Sequence, residues 1–141
     1  TRPDEAASYV KETGVDCLAV AIGTSHGTYK GTPYLDFGLL KELSKVVNVP
    51  LVLHGGSGTG DENLRKAVEI GIQKVNLFTD LSVKNLANYV NRDISKIQNI
   101  KELGEFGIKS INLPEAFQEG AKGYKNALMH YMRLFGSEGH A

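Results

Sequence analysis

The sequence predicts an α/β fold: the C-terminal portion of a (β/α)8 TIM barrel, about three βα units (strands 6–8), plus C-terminal helices. Three observations carry that prediction. Short apolar runs bounded by glycine or proline alternate with stretches of helical periodicity. The first two runs keep the pitch of a strand-plus-helix repeat, with Val20 and Val52 set 32 positions apart, and such repeats give parallel strands with right-handed crossovers. Both runs end in a glycine-rich loop that carries a histidine, and barrels of this kind place function on the loops at the carboxyl ends of their strands. Three strands do not close a barrel, and a whole one takes about 250 residues against the 141 present. Residues 1–98 are therefore expected to form a partial barrel carrying the histidine loops, and residues 99–141 a helical extension of the same domain.

The elements follow in order. Pro3 suits a first helical position, and Asp4 and Glu5 suit the positive end of the helix. Ala6, Ala7, Tyr9 and Val10 make its face, and Gly14 stops it. Residues 16–22 are apolar and too few for a helix, so they predict a strand covered on both faces. Leu39, Leu40, Leu43, Val46 and Val47 recur at helical spacing within 35–47. Residues 49–53 predict the second strand, with Pro50 at its start. Asp61, Glu62 and Asn63 open a helix that runs to Ile70 and closes at Gly71. Residues 72–78 predict a third strand, and Thr79 and Asp80 cap a helix into the low nineties.

Residues 99–107 are mixed, a loop or a short helix, while 114–135 is amphipathic. Its spaced apolar positions are Ala116, Phe117, Ala121, Tyr124, Leu128, Tyr131 and Met132, suited to covering a barrel or pairing with a second subunit. Residues 136–141 are expected to fray. The run Gly56 to Gly60 superficially matches a dinucleotide loop, but no later strand ends in an acid placed for a ribose.

Composition narrows the function. Sixteen basic residues balance sixteen acidic ones, so nothing steers nucleic acid or an anionic membrane. No apolar stretch approaches the roughly 20 residues that span a bilayer. The only cysteine is Cys17, so no internal disulfide forms, which fits a reducing, cytoplasmic setting. Its apolar neighbours predict a buried structural thiol. The start Thr1-Arg2-Pro3-Asp4-Glu5 does not read as a signal peptide, and the absent methionine suggests a processed chain or a fragment.

His26 and His54 each fall just past the last apolar residue of a predicted strand. Neighbouring parallel strands lie about 4.8 Å apart, so two imidazoles at matched positions can converge on one ion at about 2.0–2.1 Å. A lone histidine in a tight loop is more often just hydrogen-bonded; the matched pair, each before glycine, favours a metal. Two ligands fall short of the three that a catalytic zinc usually takes. Gly55-Gly56-Ser57-Gly58 lets the backbone approach an anion, Ser57 adds a hydroxyl, and the helix that follows adds its positive end. Asn76 in an apolar run needs a polar partner, which a ligand can supply, and Thr79 follows at the strand end. Lys30 is a weaker phosphate candidate, Asp36 and Asp80 suit local helix-end roles, and His130 and His140 lack metal-like neighbours. No G-x-S-x-G, H-E-x-x-H or C-x-x-C motif occurs.

These motifs, taken with Glu12 to Asp16, Leu18 to Gly27, Leu35-Asp36-Phe37, Pro50 to Gly58 and Gly71 to Thr79, resemble the carboxyl half of the class II, zinc-dependent ketose-bisphosphate aldolases (fructose- or tagatose-bisphosphate aldolase). The resemblance covers nearly all of residues 1–95, and Phe135-Gly136-Ser137 also resembles that family's ending. It implies reversible aldol cleavage of a ketose bisphosphate to dihydroxyacetone phosphate and an aldehyde phosphate. A bound Zn2+ would stabilise the enediolate. By matching motif, His26 and His54 are two of three zinc histidines. Gly27, Gly55, Gly56, Ser57, Asn76 and Thr79 match the triose-phosphate contacts. The resemblance further implies a monovalent cation (Na+ or K+) near the phosphate in some members, and a homodimer or homotetramer.

The third zinc histidine, the aspartate that donates a proton and the glutamate base lie on motifs absent from this chain, so no catalytic acid or base is assigned within it. The rival expectation is a non-catalytic phosphate-binding or assembly module. Another phosphate-binding barrel with coincidental histidines is the third.

Overall fold

The computed structural model describes residues 1–26, 29–82 and 113–140. One compact unit comprises Thr1–Thr79 with Leu134–Ala141, and a second comprises Asp80–Arg133. The first unit begins with helix α1 (Pro3–Thr13), which has Pro3 in its opening turn where a missing N–H costs nothing. Gly14 ends it in a left-handed conformation, its N–H donating to the Val10 carbonyl at 2.9 Å.

Strand β1 (Leu18–Ala19) follows, then helix α2 (Phe37–Val46), strand β2 (Leu51–Leu53), helix α3 (Asp61–Ile70) and strand β3 (Ile72–Val75). The three strands form a parallel sheet in the order β1-β2-β3. Right-handed crossovers in that order put α2 and α3 on one face. Leu40, Leu43, Leu53, Leu64 and Ala67 are fully buried in the resulting core. Each leucine so removed from water contributes about 1.5–3 kcal/mol.

The ladders are shorter than the apolar runs, and the differences have local causes. Asp36 starts α2 two residues after the first apolar position, because its Oδ1 accepts the Leu39 N–H at 2.9 Å. Beyond the β1 ladder Val20 N–H still donates to the Val52 carbonyl at 3.1 Å, but Ala21 N–H donates to Thr1 Oγ1 at 2.8 Å on the other edge. Val20 and Ile22 are buried while Cys17, Ala19 and Ala21 are exposed. The expected strand covered on both faces is therefore covered on one, and Cys17 is an exposed thiol rather than a buried one. The alternation has period two, and the helices occupy only the Val20 face.

Between β2 and β3 the register slips: Leu51 faces Ile72, but Val52 faces Lys74 and Leu53 faces Val75. Gln73 is the extra residue of this bulge, and its Oε1 accepts the Leu51 N–H at 2.9 Å. β3 stops at Val75, although Asn76 N–H still reaches the Leu53 carbonyl at 2.9 Å. Residues 79–82 are helical, so Thr79 is the first helical residue and not a cap outside it. The predicted continuation to the low nineties, and residues 99–107, lie outside the described residues.

The second unit carries most of helix α4 (Leu113–Leu134). Gly120 and Gly123 are buried, whereas Phe117, Tyr124, Leu128 and Met132 are exposed. Tyr131 donates to Asp80 Oδ2 at 2.6 Å, a contact across 51 positions of sequence and not the local helix-end role expected of that acid. In the first unit, residues 135–136 and 138–139 form turns, with His140 N–H on the Ser137 carbonyl at 3.3 Å. No helix among the described residues is long and apolar enough to cross a membrane.

Candidate metal and phosphate site

His54 directly follows β2, and the loop after β1 brings His26, seven residues past Ala19, beside it. Their ring centroids are 5.4 Å apart and the planes are inclined by 51°. An imidazole nitrogen about 2.05 Å from zinc puts its ring centre about 3.2 Å away, so two tetrahedral ligands have centroids about 5.2 Å apart. The observed spacing fits one shared ion. Both side chains are exposed, leaving them open to ligand. Among the described residues no third His, Cys, Asp or Glu joins them in a metal-type cluster.

The bulge at Gln73 brings Asn76 level with His54, one step past the Leu53–Val75 pair. Asn76 Nδ2 lies 3.0 Å from His54 Nε2 and 3.4 Å from Nδ1. On its other side Lys74 Nζ donates to Asn76 Oδ1 at 2.6 Å. An ammonium only donates, so Lys74 fixes which end of the amide is oxygen and aims Nδ2 at His54. The expected partner for a polar group in an apolar run is thus found inside the chain. Lys74 itself carried no sequence signal beyond being a charge two positions before Asn76, on the same strand face.

Beside the histidines, His26, Gly55, Ser57, Asn76 and Thr79 line a cavity of about 100 Å3, with Leu77 and Phe78. Ser57 is buried, and its Oγ accepts the Phe78 N–H at 3.3 Å. Gly55 adopts a left-handed backbone, and a Cβ there would collide with the Ser25 carbonyl. Gly56 sits behind the cavity rather than on it. Its N–H is engaged by the Asn76 carbonyl at 3.2 Å, so it serves by closeness of backbone and not as an anion donor. The positive helix end expected at α3 does not line this cavity. That end carries Asp61 and Glu62, while Thr79, the first residue of the next helical turn, does line the cavity. Gly27 lies outside the described residues, and Lys30 is exposed and not among the lining residues.

Tyr29 is the other group that sequence patterning missed. Its hydroxyl accepts the Ser25 N–H at 2.8 Å and lies 2.8 Å from the Ser25 carbonyl and 3.0 Å from that of Gly55. Only a contact between distant loops marks it, and no local pattern encodes that.

The sequence profile of the family Fructose-bisphosphate aldolase class-II matches residues 1–140. The chain belongs to this family. Among solved structures it is similar to the YdjI aldolase from Escherichia coli K12, with 33% identity and a TM-score of 0.79 over 100% of this chain and 46% of that one. It is also similar to the fructose-bisphosphate aldolase (Fba) from Campylobacter jejuni, with a TM-score of 0.67 over 96% of this chain and 44% of that one. At 20% identity the second likeness concerns the fold alone. The chain therefore spans less than half the length of these relatives. Its three parallel strands are part of a (β/α)8 barrel, as the chain pitch predicted.

Proposed function

We propose that the full-length protein catalyses reversible aldol cleavage of a ketose 1,6-bisphosphate, giving dihydroxyacetone phosphate and an aldehyde phosphate. The observation that carries this is the 5.4 Å spacing of His26 and His54 beside a serine- and glycine-lined cavity. Family membership supports it. His26 and His54 would hold Zn2+ with a third ligand from outside this chain's motifs. When bound, the metal supplies Lewis-acid stabilisation of the negative charge that develops on the substrate's ketone oxygen.

This chain's residues bind and orient. Ser57, Thr79 and the backbone around Gly55 hold the triose phosphate. Asn76, its amide set by Lys74, presents an N–H to an oxygen of the bound triose. Proton transfer is assigned to the aspartate and glutamate that the resemblance places on other motifs. The proposal also takes in Na+ or K+ near the phosphate, a homodimer or homotetramer, a cytoplasmic setting, and neither nucleic acid nor membrane as partner.

Replacing His54 with alanine in the full-length protein tests it. Zinc content is expected to fall, with a cleavage rate lower by at least about 10²-fold, as for loss of one electrostatic stabiliser of the transition state. Unchanged zinc and rate would sink the proposal. Calorimetry with dihydroxyacetone phosphate separates the rival module: zinc-independent binding without cleavage favours it.

A further inference from the structure

We infer that Tyr29 is a positioning residue that sets the spacing of His26 and His54 and hence the affinity of the metal site. The inference rests on the zinc proposal above. Among the described residues, the last backbone bond from β1 to the β2 segment is Val20 N–H to the Val52 carbonyl. Past that point the two histidine loops leave the ladder, and a separate tie must hold them together.

Tyr29 is placed to be that tie. Ser25 directly precedes His26, and Gly55 directly follows His54. The Tyr29 hydroxyl touches both, through the Ser25 N–H at 2.8 Å, the Ser25 carbonyl at 2.8 Å and the Gly55 carbonyl at 3.0 Å. A phenol has one proton and two lone pairs. It accepts the Ser25 amide and shares its proton between the two carbonyls, so the bond network is complete only while the loops stay adjacent. The ring is seated as well. Tyr29 Cδ2 lies 3.1 Å from where a Cβ on Gly58 would be, so the bare Gly58 backbone leaves room for it. A hydroxyl fixed by its ring and bonded to both loops holds two metal ligands at one separation. Partners bonded directly to metal ligands cost about 10–100-fold in affinity when lost, and Tyr29 acts in the same sense through the backbone beside each ligand.

Tyr29→Phe keeps the ring on Gly58 and removes only the hydroxyl. In the full-length protein, zinc affinity would be measured by competition with a chromophoric chelator. Exchange of the Ser25 amide would be followed in the zinc-free protein, and aldol cleavage at limiting and at saturating zinc. The expected result is zinc binding weaker by about 10–100-fold and faster exchange at Ser25. Cleavage should be lost at limiting zinc and restored at saturating zinc, because the hydroxyl acts on occupancy and not on the reacting atoms. An unchanged zinc affinity beside a zinc-binding wild type overturns the role of Tyr29 alone. A wild type that takes up no zinc overturns both this inference and the function on which it rests.

Discussion

Gly56→Ala tests how closely the β2 loop must approach β3. A Cβ at position 56 would lie 2.7 Å from Val75 Cγ1, 3.1 Å from Leu77 Cδ2 and 3.2 Å from the Asn76 carbonyl oxygen. Carbon pairs rest at about 3.5–4.0 Å, so the Val75 contact is too short by about 0.8 Å or more. Val75 is β-branched and stiff at χ1, so it does not swing aside. Relief comes from parting the loop from the end of β3. The Gly56 N–H to Asn76 carbonyl bond, already 3.2 Å, then passes out of range. Overpacking costs about 1–3 kcal/mol and the lost bond about 1 kcal/mol, so a net loss of about 2–4 kcal/mol is expected. The same displacement carries Asn76 away from His54 and lowers activity. Equilibrium urea unfolding reads the first effect, with Gly31→Ala as control. Nothing lies within 4 Å of a Cβ at Gly31, and that change should stay within about 0.5 kcal/mol. A Gly56→Ala protein as stable as the control would refute the close approach of β2 and β3 on which the site is built.

Two further outcomes follow from named contacts. Lys74→Met removes the ammonium that orients the Asn76 amide; a bond from a charged donor is worth about 1.5–3 kcal/mol, so kcat/KM should fall by about 10-fold or more. Unfolding stability should barely change, since Lys74 is exposed, and an unchanged kcat/KM would leave Asn76 with no need of Lys74. Asp36→Ala strips the cap that takes the Leu39 N–H at 2.9 Å, so urea unfolding should show a loss of about 0.5–2 kcal/mol with kcat/KM intact.

Much of the local structure was legible in the chain because its causes are local. Pro3 and Gly14 bracket α1, Asp36 opens α2, and Gly71 closes α3, each through a bond or backbone angle within a few residues of itself. Parallel pitch put the two histidine loops on one edge of the sheet, but the expected match in position does not hold: His54 directly follows β2, whereas His26 lies seven residues past Ala19, the last residue of β1. The exposed Cys17 was not readable. An apolar run shows that a strand is wanted, but which of its faces is covered depends on where the helices lie.

The sequence by itself determined the succession of βα units, the histidine and glycine motifs at their ends, and the family to which they point. Only the tertiary structure decided how those motifs meet. The bulge at Gln73 shifts β3 by one residue, and with period-two alternation that one residue decides whether Asn76 faces His54. Tyr29 reaches Gly55 across 26 positions of sequence, and Lys74 bonds Asn76, which in turn reaches His54. Such contacts belong to the packing of one strand or loop on another. Local propensity and spacing act along the chain, whereas these bonds are made across it.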